Sequence, residues 1–163
     1  MQRVVCLILL AITALPAMAA ADPRVDEVRV IKSERQLFLI QDGEKVREYR
    51  VSLGRNPKGH KLYEGDNRTP EGRYELDWRN ANSDFHKSIH ISYPNEEDRY
   101  LAQSWGLDPG SSIMIHGLPN EAGDWAFAYE GLDWTDGCIA VSNQDMDEIW
   151  ELVPLGTPIE IRP

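Results

Sequence analysis

The stretch Gln36-Leu37-Phe38-Leu39-Ile40-Gln41-Asp42-Gly43-Glu44-Lys45-Val46 decides the fold class, because it reads as a β-hairpin. Asp42-Gly43 is a strong two-residue turn signal: a type I′ turn needs positive φ at both central positions, which Asp tolerates and Gly adopts freely. On the N-terminal side, Val28 and Val30 alternate with polar neighbours and Lys32-Ser33-Glu34-Arg35 turns, making Gln36–Ile40 the second strand of a meander. On the other side, Val46, Tyr49, Val51 and Leu53 supply the next strand, which ends at Gly54-Arg55-Asn56-Pro57. Alternation resumes at Tyr74, Leu76 and Trp78, after the loop Gly65-Asp66-Asn67-Arg68-Thr69-Pro70-Glu71-Gly72.

Further along, Ser88–Tyr93 and Ser111–His116 are strand candidates. Between them Asn95, followed by Glu96, Glu97 and Asp98, reads as an N-cap with acids suited to a helix dipole, and that helix finishes near Gly106. Ser142 and Asp145 form a capping-box-like pair ahead of the apolar stripe Met146, Ile149, Trp150 and Val153, which stops at Pro154. Thr157–Ile161 closes the chain as a short strand. No repeat, low-complexity tract or linker interrupts the pattern. The expectation is one α+β domain, mostly β with two short helices, over residues 25–163.

Charge excludes two classes of partner. The 163 residues carry 27 Asp+Glu against 17 Lys+Arg, a formal net charge of −10. Nucleic acid binding needs clustered basic side chains to displace counterions, and a membrane-surface module needs a polybasic patch; neither is present. At 42% hydrophobic with five Trp and six Tyr, the chain has the composition of a folded domain rather than of disorder.

Arg3 precedes the apolar run Val4–Leu15 and then Pro16-Ala17-Met18-Ala19, the order of regions in a secretory signal peptide. Residues 1–19 are therefore expected to be removed after Ala19, with Ala21 an alternative cleavage point. The run is too short to span a bilayer comfortably. Cys6 lies inside it rather than at its end, unlike a lipoprotein cysteine. The expected product is exported to the periplasm with no stable membrane anchor. Its oligomeric state is open.

Export makes the cysteine count informative. Of two cysteines, Cys6 departs with the signal, leaving Cys138 unpaired in an oxidising compartment. Such a thiol is either reactive or a small buried hydrophobe, and the count alone does not choose. His116 ends the apolar run Ile113-Met114-Ile115, and Cys138 follows 22 positions later in Thr135-Asp136-Gly137-Cys138-Ile139-Ala140-Val141. The intervening stretch, with Trp125, Phe127, Tyr129 and Trp134, reads as an ordered lid whose ends bring His116 beside Cys138. A free thiol has a pKa of about 8.5, so a neighbouring imidazole would be needed to accept its proton and leave a thiolate–imidazolium pair. The Gly137 and Cys138 N–H groups are then candidates to face an oxyanion.

His116-Gly117 followed by Thr135-x-Gly137-Cys138 resembles the signature of the YkuD-type L,D-transpeptidases, and the resemblance runs from about Val28 to Ile161. Gly65-Asp66-x-x-Thr69-Pro70-Glu71-Gly72 is similar to the family's G-D-x-x-T-P-x-G loop. Asp84-Phe85-His86, Ile91-Ser92-Tyr93-Pro94-Asn95 and Ile113–Pro119 are closest to its YafK-like branch. The resemblance implies a β-sandwich catalytic domain acting on peptidoglycan stem peptides. It implies Cys138 as nucleophile, His116 as general base and acid, and Gly117 as the residue whose carbonyl orients the imidazole. A third-position diaminopimelate carbonyl would be attacked, D-alanine would leave, and an amine or water would resolve the thioester. No metal or other cofactor is implied.

Two positions depart from the signature. Asp136 stands where the family has His, and Ala140 where it has Asn or Arg, so transfer and hydrolysis (an L,D-carboxypeptidase or a wall-releasing amidase) both remain open. A non-catalytic wall-binding module is the reading from a different class. Thr135, Asp136 and Gly137 are the expected neighbours of the nucleophile. His90, Tyr93, Arg68, Trp125 and Trp134 are candidate substrate-binding residues, and Arg55, Arg68, Arg73 and Lys87 are cations suited to the carboxylates of anionic stem peptides. His86 and His90, with His60, do not make a convincing zinc site: i and i+4 on a strand do not converge tightly, and no H-E-x-x-H accompanies them.

Overall fold

A computed structural model describes residues 24–129 and 131–163. The signal-peptide reading and Cys6 lie outside the described residues. Eight strands form one continuous hydrogen-bonded sheet: β1 (Glu27–Ile31), β2 (Gln36–Gln41), β3 (Glu44–Arg50), β4 (Gly72–Ser83), β5 (His86–Ile91), β6 (Met114–His116), β7 (Ile139–Ala140) and β8 (Thr157–Arg162). Their spatial order is β3-β2-β1-β8-β4-β5-β6-β7. The C-terminal strand thus sits in the middle, parallel to β1 and antiparallel to β4. The Asp42-Gly43 turn has φ of +52° and +82°, as the hairpin reading requires.

The sheet curls until its two edges meet. Beyond β3 the chain crosses to β7, where Ser52 and Ala140 exchange both backbone hydrogen bonds (2.8 and 2.9 Å) and Gly54 bridges Thr135. This closure gives the sandwich-like interior its two facing walls. Val28, Val30, Leu37, Leu39, Leu76, Ile89, Ile91, Ile115, Ile139, Ile159 and Ile161 fill it. The alternation read at Tyr74, Leu76 and Trp78 holds for the first two, but Trp78 is exposed and stacks on His90.

Two α-helices flank the sheet, α1 (Glu96–Ser104) and α2 (Asn143–Leu152). Asn95 and Asp98 form a reciprocal capping box on α1, and Ser142 caps α2 by accepting the Asp145 N–H. Met146 and Ile149 of α2 bury against the core. A 3-10 helix, Gly123–Tyr129, gives the long excursion between β6 and β7 local order. No helix among the described residues is long and apolar enough to cross a membrane.

The loop between β3 and β4 is held by buried charges. Lys32, 2% exposed, donates to the carbonyls of Gly59 (2.7 Å) and Thr69 (2.9 Å) and to Glu71 Oε1 (2.8 Å). Burial lowers the Lys32 pKa, with Glu71 pulling the other way. Asp66 accepts from Lys61 Nζ and from the backbone N–H groups of Leu62, Tyr63 and Arg68. Burial alone would raise the Asp66 carboxyl; these donors hold it below the ordinary carboxylate range. Because Lys32 satisfies three acceptors from two ends of the loop, Lys32→Met should lower stability by about 3 kcal/mol. Urea unfolding measures this, and a change under about 0.5 kcal/mol, the size of an ordinary surface substitution, would contradict the assignment.

Candidate active site

His116 closes β6, opposite Ser88 of β5 and Ala140 of β7. Its Nδ1 lies 2.7 Å from the Gly117 carbonyl, which can only accept, so the neutral ring carries its proton on Nδ1 and leaves Nε2 as the base. Aromatic rings fix the imidazole plane. Phe85 packs at 4.7 Å between centroids, and Trp134 meets His116 edge-on at 5.7 Å. Tyr129 backs Trp134 edge-on at 5.0 Å. The Gly117 N–H is shared between the carbonyls of Phe85 and Lys87, which holds the carbonyl-bearing residue in place.

Cys138 ends a turn closed by one hydroxyl. Thr135 Oγ1 donates to the Cys138 carbonyl (2.8 Å) and accepts the Gly137 N–H (3.1 Å). The Gly137 N–H is therefore spent inside the turn and is not an oxyanion donor as the sequence led us to expect, leaving the Cys138 N–H as the candidate. Gly137 has a different reason to be glycine. Its φ is +133°, and a Cβ there would sit 2.7 Å from the Arg68 carbonyl oxygen. Protein backbone, not substrate, makes the close approach. The turn is thereby docked against the loop that Lys32 and Asp66 organise.

Two cavities meet at Cys138. One, about 330 Å³, is lined by His116, Trp134, Phe85, Ser88 and Met114. The other, about 380 Å³, is lined by Lys61, Glu64, Asn67 and Ser111. Ser112, Asp136 and Cys138 border both. The lid reading is correct in that the two ends of the excursion come together, through the parallel pairs Ile115↔Ile139 and His116↔Ala140. Asp136 points outward to a largely exposed ion pair with Arg55, whose guanidinium also reaches Asn67 Oδ1.

The ionisation of the pair differs from the expected thiolate–imidazolium. Burial pushes the Cys138 thiol up; the Met114 N–H pulls it down, and the Asp136 charge adds to the rise. Burial also lowers the His116 pKa, against the smaller effect of the Gly117 carbonyl. Both shifts favour neutral partners, so the resting pair is thiol and imidazole. The thiol proton points at the Ser112 carbonyl, 3.6 Å from Sγ.

Not every candidate reaches these cavities. Tyr93 is buried in the core, its hydroxyl donating to the Pro109 carbonyl. His90 is bonded to Asp77 and stacked on Trp78, outside the residues lining either cavity. Arg68 contributes its backbone behind Gly137, while its guanidinium reaches the His60 carbonyl. Trp125 is 70% exposed beside Phe127, on the outer side of the excursion. Trp134 does line the His116 cavity. Sequence reasoning assigned no site role to Phe85, Ser112 or Met114. Phe85 and Met114 lay inside quoted motifs, but which way Met114 and Ser112 face carries no signal without the sheet register.

The model of the YkuD family, described as the L,D-transpeptidase catalytic domain, matches residues 26–161. The chain is 30% identical over 133 residues to the protein YafK of Escherichia coli strain K12, covering 77% of this chain and 46% of that one. The helical cell shape determining protein Pgp2 from Campylobacter jejuni superposes with a TM-score of 0.65 at 25% identity, over 86% of this chain and 48% of Pgp2. An L,D-transpeptidase from Xylanimonas cellulosilytica shares the fold, with a TM-score of 0.55 at 17% identity, over 88% of this chain and 64% of that one. The chain spans about half the length of YafK and of Pgp2.

Since only the thiolate alkylates, the rate of Cys138 modification by iodoacetamide should keep climbing well past pH 8.5, where an ordinary thiol is half-ionised. A plateau below pH 7 would instead reveal a stored thiolate. Gly137→Ala should cost about 1–3 kcal/mol in urea unfolding through the clash with Arg68 and the unfavourable φ; unchanged stability would show that the turn is not docked as described.

Proposed function

The chain belongs to the YkuD family of L,D-transpeptidase catalytic domains, and on that premise we propose that it is an exported cysteine acyltransferase acting on peptidoglycan stem peptides. The observation that carries this is the single cavity bordered by Cys138 and by His116, with the imidazole tautomer set by Gly117. His116 Nε2 takes the thiol proton as Cys138 Sγ attacks the carbonyl of a third-position diaminopimelate. The proton passes to the departing D-alanine nitrogen and a thioester remains. An incoming amine then gives a proton to His116 as it attacks the thioester, and sulfur recovers it on leaving. Because both groups rest neutral, proton transfer accompanies attack instead of preceding it. The Cys138 N–H is the backbone donor for the developing oxyanion.

The junction of two cavities at one sulfur favours transfer, since donor and acceptor strands can approach from separate sides. Export rests on the N-terminal pattern read from the sequence. Incubation with disaccharide-tetrapeptides should yield dimers linked between two third-position residues, detected by mass spectrometry; tripeptides alone would assign hydrolysis. His116→Ala should lower turnover by about 10²–10⁴-fold. Cys138→Ala should abolish both turnover and the one-molecule mass gain produced by a carbapenem. Absence of that gain in the unmodified protein, with a reduced thiol, would favour a binding module.

A further inference from the structure

A cavity of about 480 Å³, larger than either that meets at Cys138, lies beside β7 where Ser52 pairs with Ala140. Ala140, Leu118 and Tyr129 give it apolar surface, and Val51 and Val141 reach it from the buried core. Two charged side chains also line it, Arg50 from the end of β3 and Asp145 from the first turn of α2. Neither side chain makes a hydrogen bond or ion pair among the described residues, and they do not pair with each other. The Asp145 charge is felt by the Tyr49 hydroxyl, whose pKa burial and Glu148 also raise, but Asp145 accepts no bond from it. On a chain where most neighbouring opposite charges have joined, an unjoined cation and anion facing one apolar space is an arrangement that a ligand completes.

Ala140 explains why the space exists. It stands where the family signature carries Asn or Arg, and the residue is 2% exposed with both backbone groups bonded to Ser52. A long polar side chain at this position would occupy that space. The volume lies within the range of small-molecule sites, and such sites combine apolar walls with a few polar anchors. A carboxylate matches Arg50, an ammonium matches Asp145, and the apolar walls require a hydrocarbon body between or beside them. We propose that this cavity binds an α-amino acid zwitterion with an apolar side chain, either free or as the free end of a diamino acid within a peptide. The site is separate from the Cys138 chemistry and does not depend on it.

The test uses the full chain and three molecules of one carbon framework: leucine, 4-methylpentanoate, which lacks the ammonium, and 3-methylbutylamine, which lacks the carboxylate. Titrations are followed through the amide resonances of Leu118, Ala140 and Val141. Leucine, in at least one enantiomer, should shift these signals saturably, and each single-charge analogue should bind at least ten-fold more weakly. Arg50→Gln and Asp145→Asn should each weaken leucine at least ten-fold, and Cys138→Ala should leave it unchanged. A stem tripeptide that shows the same dependence on Arg50 assigns the peptide-borne source; failure of the tripeptide with binding of leucine assigns the free amino acid. No saturable shift by leucine or by the tripeptide, equal binding of 4-methylpentanoate, or indifference to Arg50→Gln would overturn the proposal. Loss in Cys138→Ala alone would return the ligand to the catalytic cavity.

Discussion

Two residue pairs, Ile115 with Ile139 and His116 with Ala140, hold β6 and β7 in parallel register, and the site depends on that register. The strands are three and two residues long, too short to be stable by themselves. They persist because β6 also pairs with β5, while the Ser52 backbone grips Ala140 from the opposite side. A slip of one residue would reverse every side chain and remove either the imidazole or the sulfur from the shared cavity. The closure of the curled sheet is therefore also the device that assembles the chemistry.

The same logic extends behind Cys138. Cys138 is positioned by a turn that is closed by Thr135 and docked at Gly137 on the Arg68 carbonyl. That carbonyl belongs to a loop with no regular secondary structure, so its position comes from buried charge: Lys32 across from Gly59, Thr69 and Glu71, and Asp66 with Lys61. Thr69 adds a bond from its hydroxyl to the Gly54 N–H (3.1 Å). Buried hydrogen bonds of this kind specify one conformation where an apolar contact would allow several.

Burial has a second consequence, for reactivity. The imidazole is buried and the sulfur half-buried, and the desolvation disfavours the charged form of each. A neutral pair is also the less oxidisable state, because a resting thiolate would be the species most open to oxidation. The outward Asp136 carboxylate, joined to Arg55, sits at the border of both cavities and contributes to the same bias. Ala140, the register partner of His116, borders a third cavity at a position where the family signature has a polar side chain.

Local patterns were legible because they obey local rules. The Asp42-Gly43 hairpin, the caps at Asn95 and Ser142, the α2 stripe and the His116/Cys138 pair all appear in the structure where the residues indicated. The substrate-binding candidates fared unevenly. Trp134 lines a cavity, but Tyr93 turned inward to Pro109 and His90 was taken by Asp77 and Trp78, because a side chain's direction follows from strand register. The sequence by itself determined a mostly β domain and singled out His116 and Cys138 as neighbours, since turn chemistry, periodicity and residue type act over a few positions. Only the tertiary structure decided that the Gly137 N–H is consumed, that the pair rests uncharged and that β8 lies at the centre of the sheet. Those outcomes depend on which distant backbone comes to lie alongside, and the energy of burial is set by the completed fold.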